Sequence, residues 1–490
     1  VSSLGRFLRS LDTGLPFFFG LIALPTLVIF ATLVPYGGVA DEPAQSMRAQ
    51  AILNGEFVGH RVTIVTPDHE IQTHAGVDAD PALLFAAITP HGFDLTVPAA
   101  SLSKAHQQSW TGHPVFMEIS PLAVYAPVFY LPGAAGLAAA HWLGFSPYHA
   151  ALLGRLCNAV TYLVLGTLAL CLARRARAIM FGVLTVPIAF NLAGSLSQDG
   201  LIIATSVLAA ACLSRAYEEP QRDLRYRAGA ALALLAVAIV KPPYLILALG
   251  LLPPLPWPLR GRAARGVLLS RAAIIAAIAL PVIAWFGWTM VHVSAPTYFA
   301  PRPVGPLLAG PHPALLDHTD PLLQIHALLQ APWRIVTLPF HSFYINPLWR
   351  ELVGKLGWID LILPDFMYNM WAAAAVLAAC AALAGPALPA ATPRLGVTGS
   401  LTLVFAVIAT FLAIYLSQYL VWTTVGATQI DGPQGRYLLP LLPFLGLALP
   451  KYRFAYGSQV AGLLSLGVIV SAMAGLCVLP YILATAYYLN

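Results

Sequence analysis

Residues 15–34 run for twenty positions without a charged side chain. As a helix, such a run reaches roughly 30 Å, the thickness of a bilayer's hydrocarbon core. Comparable apolar runs recur to the end of the chain. Only 9% of the 490 residues are charged and 59% are hydrophobic, against about 25% charged in soluble domains. So few charges cannot cover a water-facing surface of this size. A cytosolic enzyme, a disordered chain and a disulfide-stapled secreted domain are excluded. What is left is an all-α integral membrane protein with lipid as its main solvent. Residues 5–10 are basic and no small-residue cleavage site follows the first run, so that run reads as a retained first helix. The five cysteines, Cys157, Cys171, Cys212, Cys380 and Cys477, lie in apolar runs and read as small buried hydrophobes.

The runs predict eleven spans, at 15–35, 150–172, 178–194, 200–214, 228–240, 244–258, 270–293, 371–388, 397–422, 437–450 and 459–486. The apolar stretch 121–143 is interrupted by Pro121, Pro127 and Pro132-Gly133, and reads as short re-entrant or interfacial helices. Charge supports leaving it out of the count. One set of short connections then carries Arg6, Arg9, the cluster Arg174, Arg175 and Arg177, the residues Arg215 to Arg227, Arg260 to Arg271, Arg394, Lys451 and Arg453. That is 16 of the 26 basic residues, as expected for cytoplasmic loops. The same rule explains the net charge of +6 without nucleic acid. The expected location is an inner membrane, with the N-terminus cytoplasmic.

Sixteen of the 20 acidic residues fall on the other side, nine of them in 37–120. The expected organisation is 1–36 (N-terminus and first span), 37–149 (first periplasmic loop and interfacial helices), 150–293 (spans two to seven), 294–370 (second periplasmic loop) and 371–490 (spans eight to eleven). Loops this long tend to be functional, and the two should form a small mixed subdomain. Six of the 13 histidines, His60, His69, His74, His91, His106 and His113, lie in the first loop. Their spacing fits no zinc pattern, so no metal site is assigned. Trp110, Trp142, Trp285, Trp288 and Trp422 read as interfacial anchors.

After the first span, Asp41-Glu42-Pro43-Ala44 opens a helix that Gly55 ends, with Gln45 and Arg48 on the face of Asp41. Asp41 is either a helix cap or, as a carboxylate against a hydrophobic span, a general base. Ser197-Gln198-Asp199-Gly200 poses the same choice for Asp199. Lys241-Pro242-Pro243-Tyr244 places a lone lysine opposite the basic loops, where an ionisable residue suggests function. In Asp431-Gly432-Pro433-Gln434-Gly435-Arg436-Tyr437 the glycines permit close backbone approach, and Arg436 can fork onto a phosphate or pair with Asp431. Arg155, inside the second span, needs a partner. Cations and a base at a lipid boundary suit group transfer from a phosphate-linked lipid.

These motifs, with Gly354-Lys355-Leu356-Gly357-Trp358-Ile359-Asp360 and Leu363-Pro364, occur in an order that resembles a bacterial multi-spanning family known only as a domain of unknown function. That family is grouped with the GT-C superfamily of integral-membrane glycosyltransferases, and the resemblance covers about 15–450. It implies a GT-C-like bundle of about eleven helices that uses a polyprenyl-phosphate-linked sugar at the periplasmic face. The acceptor would be a glycan, lipid or protein. Asp41 would be the catalytic base with Glu42 beside it, and Lys241, Arg436 and Arg155 would hold the donor phosphate. Arg48, Asp199, Gln434, Tyr437, Trp358 and Asp360 complete the expected site. No cofactor is firmly implied, and a divalent cation is the less favoured option. Relatives often carry His where this chain has Gln45, which puts any histidine relay in doubt. The rival readings are a lipid-linked glycan transporter or flippase, and an oligosaccharide ligase or polymerase.

Overall fold

A computed structural model describes residues 3–67, 69–90, 95–219, 222–254, 262–386 and 395–489. His91, Arg260 and Arg394 lie outside these ranges. Among the described residues, seven helices are long and apolar enough to cross a membrane: Leu15–Leu33, Pro147–Leu172, Asp199–Glu218, Ala264–His292, Asp365–Leu383, Gly396–Val421 and Gly457–Leu489. Large side chains stand exposed along one stripe of these helices, as in Phe17, Leu21, Leu24 and Val28, while Phe19, Ile22 and Phe30 face inward. That is the pattern of a bundle solvated by lipid.

The other four expected spans are not among these seven helices. The stretch 178–194 is two helices, Arg177–Thr185 and Pro187–Ala193, because Pro187 interrupts the backbone ladder. Asp223–Val240 carries Asp223, Arg225 and Arg227 in its first turns. Pro242–Leu251 is a 3-10 stretch entered through two prolines. The last is a chain of pieces, Gly435–Tyr437, Leu439–Leu441 and Leu442–Ala448. Every residue of Pro187–Ala193 is buried, so this break is shielded by protein and not exposed to lipid. The stretch 121–143 breaks up into Ser120–Ala123, Pro127–Tyr130 and Leu131–Trp142.

The central element is Asp199–Glu218. It is 20 residues long, about 30 Å from end to end, and 89% of its apolar window is buried. Its composition allows this, since Gly200, Ala204, Ser206, Ala209, Ala210, Ala211 and Ser214 are small on every side and neighbours can close in all round. Pro147–Leu172 and Asp223–Val240 flank it. Close packing recurs where Leu131–Trp142 crosses Pro147–Leu172. A Cβ on Gly136 would lie 2.6 Å from the Gly154 Cα.

The long connecting segments carry the strands. His60–Val65, Ile71–Ala79 and Val115–Glu118 form an antiparallel sheet with His60 opposite Gly76 and Gly76 opposite Glu118. In the second segment, Lys355–Leu356 pairs with Leu361–Ile362 in a tight hairpin. Beside the sheet, buried Asp80 caps Pro81–Ile88 and accepts hydrogen bonds from Ala82 N (2.9 Å), Thr111 Oγ1 (2.8 Å) and Gly112 N (2.9 Å). Burial pushes this carboxyl up, but the donors outweigh it and hold it below the usual range. A carboxyl lowered by folding stabilises above its unfolded pKa, and that contribution is lost as pH falls through the folded value. Asp80→Asn should therefore lower stability near neutral pH by about 1.5–3 kcal/mol. The gap from wild type should close below about pH 4, which parallel thermal melts will show.

The cysteine expectation needs revision. All five are free, Cys212 is buried, and Cys171, Cys380 and Cys477 are exposed. The three exposed ones sit on the apolar surface of the bundle and not in its interior.

Candidate functional site

Four of the expected site residues meet at one end of the central helix. Lys241 Nζ lies 2.5 Å from Asp199 Oδ1, Arg436 Nε lies 3.1 Å from Asp199 Oδ2, and Arg436 Nη2 lies 2.5 Å from Asp41 Oδ2. The four are separated by up to 395 positions in sequence. Tyr437 is the floor of this quartet: its ring centroid is 4.3 Å from Lys241 Nζ and 5.3 Å from Arg436 Cζ. The Tyr244 hydroxyl anchors it by donating to the Tyr437 carbonyl, 2.8 Å away. The charges balance as two carboxylates against two cations. Burial is graded across them, with the side chains of Asp199 and Arg436 5% exposed and that of Asp41 43% exposed. The pair least able to leave lies deepest, and Asp41 is the outer, accessible member.

Backbone geometry aims Asp41 at this point. The residue sits at φ 65°, in the left-handed region, and its side chain makes no hydrogen bond to the helix Glu42–Leu53 that it precedes. Aspartate is among the few residues that tolerate this conformation. The capping role open to Asp41 in sequence is thus not the one it takes, because its carboxylate turns away to Arg436. Asp199 likewise spends its carboxylate on Lys241 and Arg436, and Asp431 forms no ion pair with Arg436 among the described residues. The hairpin 354–360 props the 37–41 turn from below. Ala40 N donates to Gly357 O (3.1 Å), and Trp358 Nε1 donates to Gly37 O (2.8 Å). Asp360 accepts from Trp358 N at 2.9 Å and so shapes the hairpin without reaching the quartet.

Three further expected site residues are placed elsewhere. Glu42 is fully buried and bound by Arg155 through Nε (2.7 Å) and Nη2 (2.6 Å), and it also accepts from Gly37 N and Leu196 N. Arg155 donates in addition to the carbonyls of Ala31, Val34 and Pro35. This pair clamps the end of the first span to the loop before Asp199, and neither side chain has capacity left for a ligand. Arg48, fully buried, donates to the carbonyls of Glu56, Phe57 and Tyr125 and so joins the outer segment to the bundle.

A cleft beside the quartet is bordered by Asn191, Glu351, Lys355, Gln434 and Arg436. Glu351 accepts from Gly435 N at 2.9 Å, and Lys355 lies 3.3 Å from its other oxygen. A Cβ on Gly435 would meet the Leu352 nitrogen at 2.5 Å, so this approach requires glycine. Glu351 and Lys355 were not singled out in sequence, although their i,i+4 spacing was a usable signal. The buried amide of Gln198 has neither its oxygen nor its nitrogen partnered, and Gln45 Oε1 and Asn191 Oδ1 are also without partners. Gly435→Ala should displace Arg436 through its backbone and disturb the quartet without disturbing the Glu42–Arg155 clamp. A structure of the variant and its melting temperature will separate the two effects.

One group in the outer sheet has metal-like geometry. Glu56, His60 and Asp78 offer ligand atoms within 4.8 Å of one another. His60 Nδ1 lies 2.7 Å from Glu56 and its Nε2 lies 3.8 Å from Asp78, which is half-exposed. The Glu56 contact is a hydrogen bond, whereas Asp78 lies too far for one.

Seven crossing-length helices among the described residues, with the charged quartet at one end of the bundle, define a multi-spanning integral membrane protein. The chain belongs to the DUF2142 family of predicted membrane proteins, whose model matches residues 24–445. That match takes in all four quartet residues. No curated protein matches the chain, and no solved structure does.

Proposed function

We propose that this protein is a glycosyltransferase of GT-C type that moves a sugar from a polyprenyl-phosphate-linked donor to an acceptor hydroxyl. The supporting observation is the convergence of Asp41, Asp199, Lys241 and Arg436 at one end of the bundle. By the positive-inside rule this end faces the periplasm, because the other end of the same central helix carries the Arg174–Lys451 basic group.

The resting quartet is neutral, so an incoming phosphate must replace a carboxylate. Asp41 is the exposed one. The phosphate takes its place on Arg436 and gains Lys241 as a second cation, with Asp199 holding both cations in position. Asp41, released, is free to accept the proton of the acceptor hydroxyl. The acceptor oxygen then bonds to the anomeric carbon as the bond from that carbon to the phosphate oxygen breaks. The electron pair leaves with the lipid phosphate, whose charge Lys241 and Arg436 stabilise. Asp199 is thus a positioning residue, while Glu42 and Arg155 hold the scaffold.

A transporter would place its charges near the middle of the bilayer. Here Asp199 is the first residue of its helix and Lys241 follows the last residue of its own. Purified protein in lipid nanodiscs, supplied with a labelled lipid-phosphate sugar and a mixed envelope acceptor pool, should release lipid phosphate and label the acceptor. Movement of intact donor across the membrane without bond cleavage would instead support the transporter.

A further inference from the structure

The far end of the central helix carries a second charged centre that the proposed reaction does not use. Glu218 is approached by Arg175 Nη1 at 3.7 Å, Lys451 Nζ at 3.8 Å and Arg453 Nη2 at 3.5 Å. All three distances are long for ion pairs, and Glu218 Oε1 receives no hydrogen bond. Neighbouring pairs join Arg177 to Asp12, and Arg174 and Arg215 to Glu219. Six cations therefore share three carboxylates, unlike the balanced quartet at the other end.

The surplus surrounds a cavity of about 340 Å³ bordered by Arg174, Arg175, Arg177, Glu218 and Lys451. This is far more than one water requires, roughly 10–15 Å³ on the same measure. Arg175 and Lys451 are 8% and 14% exposed. Burial pushes the Lys451 ammonium down; Glu218 opposes this, and Arg175 and Arg453 push the same way as burial. Arg177 Nε is buried without a hydrogen-bond partner. The centre is short of negative charge, and it has room for some.

Position indicates the source of that charge. The central helix places this cavity about 30 Å from the quartet, at the level of the opposite headgroups. The helix Ser3–Thr13 is strongly amphipathic and packs on Gly457–Ala484, with Phe7 exposed. Such helices lie in the bilayer surface, and this one brings Asp12 to the edge of the cavity.

We propose that this cavity binds a phosphate group, supplied by an anionic phospholipid headgroup of the leaflet opposite the quartet. Arg175 and Lys451 are its principal donors, and Glu218 holds their place when the site is empty. The site is independent of the glycosyl-transfer reading and does not depend on it.

The test is native mass spectrometry and thermal melting of the full chain in detergent. Phosphatidylglycerol, phosphatidylcholine and inorganic phosphate are the probes. Phosphatidylglycerol should be retained and raise the melting temperature, while phosphatidylcholine should do neither. Lys451→Gln should weaken retention by about tenfold. Glu218→Gln should strengthen it by removing the competing carboxylate, an effect of opposite sign to that of losing a merely structural ion pair. Displacement of the lipid by phosphate, with equal stabilisation, would assign the site to a free phosphoanion. Equal retention of both lipids would overturn the proposal. So would unchanged phosphatidylglycerol binding by a folded Lys451→Gln protein, or weaker binding by Glu218→Gln.

Discussion

Asp41→Asn should slow sugar transfer by about 10²–10⁴-fold while leaving the protein folded. Asparagine keeps the shape of the side chain and its tolerance of a left-handed backbone, but it cannot accept the acceptor's proton. The scaffold should tolerate the change because the Asp41 side chain is 43% exposed and Arg436 retains Asp199 at 3.1 Å. Donor binding should be unchanged or tighter, because the carboxylate that the phosphate must displace is gone. Initial rates and donor affinity, measured on one preparation, give both readings. Wild-type-like turnover would remove Asp41 as the base. Equal loss of donor binding and turnover would instead make it a binding residue.

Arg155→Met should cost stability, by about 3–5 kcal/mol, because Glu42 would be left in a fully buried site without its partner. The carbonyls of Ala31, Val34 and Pro35 would lose their donors as well. The expected result is poor recovery of monodisperse protein and a lower melting temperature. Replacing both members, Glu42→Met with Arg155→Met, should recover part of the loss, since no lone charge is then buried. If Arg155→Met were stable but unable to bind a lipid phosphate, Arg155 would return to the donor site.

Convergence of Lys241, Arg436 and Asp41 was legible in sequence because a charge in an apolar span is costly and must find a partner. The identity of each partner was not legible. Asp41 and Glu42 are adjacent and chemically alike, yet neighbouring helical residues point about 100° apart. A positive φ at Asp41 sends one carboxylate to Arg436 and the other to Arg155. Asp199 was undecided between a cap and a site because both roles suit an aspartate that begins a helix.

The fold shows the same division. The apolar runs lie where helices form, since hydrophobicity locates burial. Their lengths depend on the neighbours. The break at Pro187 and the 3-10 stretch after Pro242-Pro243 survive because surrounding helices cover backbone that lipid would not accept. The outer sheet is harder to read, since no residue of strand His60–Val65 is fully buried.

The most direct test of the account is a cryo-electron-microscopy structure in a nanodisc with a non-hydrolysable lipid-phosphate sugar. Phosphate density is expected within hydrogen-bonding distance of Lys241 and Arg436, with the Asp41 carboxylate released from Arg436 and the sugar between them. A closed Asp41–Arg436 pair in a donor-saturated structure, with the sugar phosphate held away from both cations, would contradict it.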